Sequence, residues 1–231
     1  MTGSFPLGSP LKPYRLEAEI GVSRTPIRDA LRLLEMDGLV AMKPRLGARV
    51  ISLTIAEFSH LCVMRLALES YAAGLAAQNR SDDQLRDLKD ALAKLADSGR
   101  RFNGKPEDLE LLLDYQRQDL HFHIALLGAA QNPLIKAECT RIHLLDHLLS
   151  GKLMERNAHY EPGTLPVARD FAEHEAILKA VEQKDAAAAR TAMERHLQPV
   201  VDRSIAALKR DQEYHQSTLR RIEMIEEVTM T

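Results

Sequence analysis

Apolar residues in the first fifty positions follow two different periods. Ile27, Leu31 and Leu34 recur at helical spacing, which predicts a helix over about residues 24–36. Leu39 to Ile51 instead forms two short β-type runs around a Pro/Gly turn with basic residues at its tip, the pattern of a β-hairpin. Upstream, Leu16 and Ile20 suggest a short helix ended by Gly21. Ser23 or Thr25 can cap the longer helix, Pro26 is tolerated in its first turn, and Gly38 suits its stop.

From Thr54 the pattern turns wholly helical. Thr54-Ile55-Ala56-Glu57 is a capping box, and Phe58, Leu61, Cys62, Leu68 and Ala72 trace one apolar stripe up to about Ala77. Later helix starts are expected at Ser81, near Pro106, after Asn132-Pro133, near Pro166 and at Asp185. That makes about six helices and no strand. Residues 99–106 and 157–166 hold most of the remaining Gly, Pro and Asn and are expected as the longer loops, followed by a charged, polar tail from about Leu208. The expected fold is mainly α: an N-terminal winged helix-turn-helix over residues 1–53, then an all-α antiparallel bundle of about six helices over 54–231.

The polar side of the first long helix carries chemistry. Arg24, Arg28 and Arg32 lie at i, i+4 and i+8, opposite the apolar face, so one side can pack while the other meets phosphates. Helix, turn, helix and wing in that order is the arrangement of a DNA-groove reader. Charge agrees: residues 1–55 hold eight Lys/Arg against five Asp/Glu, a net of +3, while the other 176 hold 23 against 28, a net of −5. No secretory segment and no membrane-length apolar run is present, and Cys62 and Cys139 are isolated, so a reduced, cytoplasmic protein is expected.

In the second half, polar residues sit where helices should be apolar. Asp119 and His123 share a face with Leu112, Leu126, Leu127 and Ala130; His174 shares one with Phe171, Ile177, Leu178 and Val181; His196 shares one with Ala189, Ala192, Met193 and Val200. All four point inward, and Asp185 starts a new helix between the last two histidines, so an antiparallel hairpin sets them side by side. A divalent cation offsets the cost of burying them together. The Asp-x-x-x-His spacing alone is weak, with 15 Asp and nine His in the chain. His143 and His147 form an equally good helical pair on chemistry, yet they flank the stripe Ile135, Cys139, Ile142, Leu145 and Leu149, which predicts a solvated or pocket-edge role.

Gly21 to Leu39 (GVSRTPIRDALRLLEMDGL) resembles the recognition segment of the GntR family of bacterial transcription regulators, and Arg45 to Val50 (RLGARV) resembles its wing. The resemblance implies that Arg24, Thr25 and Arg28 reach base edges and phosphates, with Arg32 on the same face and Arg45 and Gly47 in the wing. Family members usually carry a further helix ahead of the Leu16 segment. Met1 to Pro13 is too short and too rich in Gly and Pro for one, so either the start lies upstream or the winged helix is incomplete.

Residues from about Thr54 to Leu208 resemble the FadR-type C-terminal ligand-binding domain of that family, through Arg65-x-x-x-Glu69, Asp119-Leu120-His121-Phe122-His123, Ala130-Gln131-Asn132, Glu173-His174 and His196-Leu197. Its metal-binding branch implies a divalent ion held by Asp119, His123, His174 and His196. Zinc, nickel, manganese and iron all suit that donor set. Arg65 lies on an apolar stripe, a costly place unless it meets an anion, and is assigned to clamp an effector carboxylate; the alternative is an internal pair with Glu69 one turn away, and the two roles can coexist.

The resulting expectation is a homodimeric regulator that binds a palindromic operator in double-stranded DNA and responds to a small organic acid or sugar acid. The alternatives are a metal-dependent hydrolytic enzyme, for which no nucleophile, base and orienter group together, and a ligand-binding protein with impaired DNA binding.

Overall fold

The computed structural model of the chain describes residues 8–43, 46–102, 108–156 and 167–202, with Phe5, Ala206 and Lys209. The N-terminal part builds α1 (Pro13–Ile20), α2 (Arg24–Met36), β1 (Val40–Lys43) and β2 (Gly47–Val50). The rest builds α3 (Ile55–Asn79), α4 (Asp82–Phe102), α5 (Leu109–Ala129), α6 (Pro133–Arg156), α7 (Val167–Glu182) and a last helix, α8, over residues 186–202. A winged helix-turn-helix followed by a six-helix bundle is the architecture the patterning predicts.

Local chemistry sets the boundaries. Pro13 opens α1, where its missing N–H costs nothing, and Gly21 closes it at φ 78°. α2 ends in a Schellman turn: Gly38, at φ 70°, donates to the Glu35 carbonyl at 3.0 Å and Leu39 donates to the Leu34 carbonyl at 2.9 Å. Ser23 occupies the N-cap position of α2, but its side chain makes no capping bond, contrary to expectation. Leu11, Leu16, Ile27, Leu31, Val40, Ala48 and Val50 form a small core of their own, with Leu34 partly buried against it. Ile20, expected on that apolar side, is exposed instead.

β1 and β2 pair antiparallel, Val40 opposite Val50 and Lys43 opposite Gly47. The other edge of β2 takes residues 8–11. Gly8 donates to the Val50 carbonyl, Val50 donates to Ser9, and Leu11 donates to Ala48 at 2.8 Å. Arg49 is drawn inward by the same segment, its Nη1 donating to the Gly8 carbonyl at 2.8 Å.

The bundle begins as its capping chemistry dictates. Thr54 Oγ1 accepts from the Glu57 N–H at 3.2 Å while the Glu57 carboxylate accepts from the Thr54 N–H at 2.8 Å. Ser81 and Gln84 repeat that reciprocal box before α4, and Asp108 caps α5. Residues 99–102, expected to begin a loop, are helical. Gly99 is there for close packing, since a Cβ would come within 2.9 Å of Val167 Cγ1. The remainder of that loop, residues 157–166, Arg45, His159, His215 and most of the expected tail, together with the His147 side chain, lie outside the described residues. The main core runs from Ala72, Ala73 and Ala76 of α3 through Leu88, Leu95, Phe122, Leu126, Leu127, Ile177 and Val181 to Met193 and Leu197 of α8.

Candidate functional site

On α2, Ile27 and Leu31 are buried while Arg24, Thr25, Arg28 and Arg32 are exposed along the opposite side. Arg24 is steadied from α1 by Glu17, Nε to Oε2 at 2.8 Å, which leaves its side chain 63% exposed. Gly47 is exposed at the wing turn in a left-handed conformation, φ 74°. The α2 arginines therefore share one exposed helix face.

In the bundle, Asp119 and His123 of α5, His174 of α7 and His196 of α8 converge. One ligand atom from each of the four lies within 4.8 Å of the others. The three imidazoles are buried, and the Asp119 side chain remains 27% exposed, giving the cluster an open side. Adjacent helices in a bundle present these side chains to one centre because each replaces a core residue on its own stripe.

Each imidazole is oriented from behind. His123 Nδ1–H donates to Glu69 Oε2 at 2.6 Å, His174 Nδ1–H to the Asp170 carbonyl at 2.8 Å, and His196 Nδ1–H to Glu173 Oε2 at 3.3 Å. Carboxylate and carbonyl oxygens only accept, so the protons of the neutral rings lie on Nδ1 and the lone pairs on Nε2. Those Nε2 atoms face inward: His196 to His123 at 3.4 Å, His174 to Asp119 Oδ1 at 3.2 Å, His123 to Asp119 Oδ1 at 3.9 Å. Two lone pairs meeting at 3.4 Å repel unless a proton or cation lies between them. His174 Nε2 is buried, and its approach to Asp119 Oδ1 lacks the geometry of a hydrogen bond. Three Nε2 atoms and one carboxylate oxygen, each ring held by an acceptor behind it, fit a divalent metal ion.

The electrostatics follow from the same contacts. Burial opposes charge on His174, but the Asp119 carboxylate beside it and then Asp170 outweigh that and raise it to about 9, so without a metal a proton sits on its Nε2 and a bound cation takes that proton's place. Asp119 is held well below the usual carboxylate range: burial opposes this, and the neighbouring histidines, His174 first, overcome it. His196 is pushed down by burial first and then by the neighbouring His174. Asp170 is pushed up by burial and by Asp119, while Tyr115 donates its hydroxyl to it.

Arg65 is 7% exposed and meets two carboxylates, Nε to Glu69 Oε1 at 2.7 Å and Nη1 to Asp146 Oδ2 at 3.0 Å. The Glu69 pair is the internal alternative to an effector clamp; Asp146, 81 residues away in sequence, is a second partner that local spacing does not announce. His143 corrects the sequence expectation. It is 2% exposed, its Nε2 is 2.9 Å from Glu69 Oε1, and its ring centroid is 5.0 Å from that of His123. It follows the buried Cys139 by four residues, the helical spacing that could have placed it on the inward stripe. Glu69, His123 and His143 also lie close enough to share a cation, but the Arg65 guanidinium already occupies Glu69 Oε1, and a second positive ion there would meet it. Glu69 is better placed as the shared acceptor. Its carboxyl is held well below the usual range, burial being outweighed by His143, Arg65 and His123.

Comparison with known proteins matches two separate stretches of the chain to family models. Residues 1–50 match the model of bacterial regulatory proteins of the gntR family, and residues 60–199 match the FCD domain. The transcriptional regulator LutR of Bacillus subtilis is 32% identical over 78% of this chain and 84% of its own. The transcriptional repressor NanR of Klebsiella aerogenes is 30% identical over 86% of this chain and 78% of its own. Among solved structures, Escherichia coli McbR/YncC superposes with a TM-score of 0.68 at 22% identity, covering 91% of this chain and 92% of that one, and so shares the fold. These relatives carry the names of regulators, and the hydrolytic alternative is set aside. The chain belongs to the GntR family of bacterial regulatory proteins, with an FCD domain following its DNA-binding segment.

Proposed function

We propose that the chain is an effector-responsive transcription regulator of the FadR subfamily, with residues 1–53 as its DNA-binding domain and 54–231 as its sensing domain. Arg24, Thr25, Arg28 and Arg32 of α2 meet base edges and phosphates of a palindromic operator, and Arg45 and Gly47 of the wing meet the neighbouring groove. A homodimer supplies two such units, and their spacing must match two half-sites. No helix among the described residues is long and apolar enough to cross a membrane. A regulator of chromosomal operators works in the bacterial cytoplasm.

In the sensing domain, Asp119, His123, His174 and His196 hold a divalent ion, with zinc, nickel, manganese and iron as the candidates. The observation that carries this reading is the inward convergence of three Nε2 lone pairs whose Nδ1 sides are already taken. Four protein donors leave coordination positions for a small organic-acid or sugar-acid effector on the open side at Asp119. Arg65 is the cation behind the site, and an effector carboxylate reaches its Nη1 edge only in competition with Asp146. Two states with different operator affinity, unequally stabilised by the effector, supply the response.

Native mass spectrometry of the whole chain tests the proposal, since metal, small-molecule adduct and dimer mass are read together. His174→Ala and His196→Ala are expected to lose the metal; full occupancy in both variants contradicts the assignment.

A further inference from the structure

α3 follows directly from the DNA-reading unit and α6 approaches it through one arginine, and both helices carry residues beside the candidate metal centre, Glu69 on α3 and His143 on α6. α3 continues from the wing: Ile51 donates to the Leu39 carbonyl at 3.0 Å, and three residues later Thr54 caps the helix. α6 reaches the same unit from the side. The Arg141 side chain lies over Gly38, in the turn that ends α2, so that a Cβ there would be 3.7 Å from Nη1 and 3.8 Å from Cδ. Glu138 aims that arginine, accepting from Nε at 3.1 Å.

Beneath the metal centre, polar groups of α3 and α6 meet. Arg65 Nη1 meets Asp146 Oδ2 at 3.0 Å, and Glu69 Oε1 meets His143 Nε2 at 2.9 Å. The other oxygen of Glu69 accepts from His123 Nδ1 at 2.6 Å. One carboxylate thus touches a proposed ligand and both helices. Arg141 precedes His143 by two residues and Asp146 by five, about 7.5 Å of helix at 1.5 Å per residue.

We propose that α6 carries the state of the metal centre to the DNA-reading unit, with Arg141 on Gly38 as the contact that passes it. This rests on the metal assignment above and adds its route of regulation. Packed helices shift as bodies rather than deform continuously, so a change in the position of His123 felt by Glu69 moves α6 against α3. The seat of Gly38 then moves relative to the residue 51–54 connection. Because Gly38 and Leu39 close the Schellman turn of α2, the orientation of the arginine face follows.

Hydrogen–deuterium exchange on the full chain tests this route, comparing protein stripped with a chelator and protein reloaded with zinc, with zinc content checked by native mass spectrometry. The wild type is expected to change its protection over residues 36–42 on zinc loading. Arg141→Ala is expected to bind zinc equally and lose that change. Glu138→Ala, which frees Arg141 from its aim, is the second variant and is expected to weaken it. An Arg141→Ala chain that takes up zinc and keeps the full response overturns the route, as does a zinc-loaded wild type with no response. A wild type that takes up no zinc overturns the metal assignment and the route together.

Discussion

His123 and His196 face each other with their Nε2 atoms 3.4 Å apart, and each ring donates its Nδ1 proton to a carboxylate on the far side. This pairing of like lone pairs across a helix bundle is tolerable when a positive charge lies between them. Several outcomes follow from it.

Metal removal should destabilise the folded chain, because an unfolded chain offers no preformed set of donors. At free metal a hundredfold above Kd, the loss is roughly 2.7 kcal/mol. For a chain of this length that lowers Tm by about 5–10 °C. Thermal melts with and without a chelator check this, and identical curves contradict it.

Glu69→Gln keeps the size of the group that orients His123 but removes its charge, and leaves Arg65 with Asp146 as its remaining carboxylate partner among the contacts described. Loss of such an orienting partner weakens metal affinity by about 10–100-fold. Competition against a chelator of known affinity measures the change. Unaltered affinity would show that Glu69 has no part in holding the ring.

Arg28→Ala, on the exposed face of α2, should weaken operator binding by about 1–3 kcal/mol if Arg28 reads a base edge. Should it meet only phosphate, the loss is uniform across sequences and the slope of log K against log salt falls by about one. Anisotropy titrations of a selected duplex at several salt concentrations distinguish the two. No effect on either quantity removes Arg28 from the interface.

Cys139 is fully buried, and burial first, then the negative charge of Glu69, push its thiol up to about 12. An unfolded thiol ionises from about 8.5. Above that pH the unfolded chain gains a thiolate that the folded chain lacks, so the contribution to stability declines as pH rises and is constant below. Alkylation at pH 8.5 should therefore be slow in the native protein and fast in denaturant. Equal rates contradict the burial.

Much of this was legible in the sequence because its causes are local. Thr54 with Glu57 and Gly38 after Met36 set helix ends through bonds a few residues long. Asp119, His123, His174 and His196 stood out because each interrupts an apolar stripe, and a polar group on a buried stripe needs a partner. Their partners were harder to find. Glu69 meets His123 across 54 residues, Asp146 meets Arg65 across 81, and nothing in α6 alone says which side of its stripe faces α3. The pairing of residues 8–11 with β2 is hidden for a related reason, since a short Gly/Pro stretch has no side-chain alternation to announce a strand.

X-ray absorption spectroscopy of the zinc-loaded chain tests the central claim most directly, because it reports the atoms around the ion. Imidazole nitrogens are expected at about 2.0–2.1 Å with oxygen completing the shell, and imidazole scattering is expected to fall in His196→Ala. A shell of oxygen alone, or one containing sulfur, would contradict it.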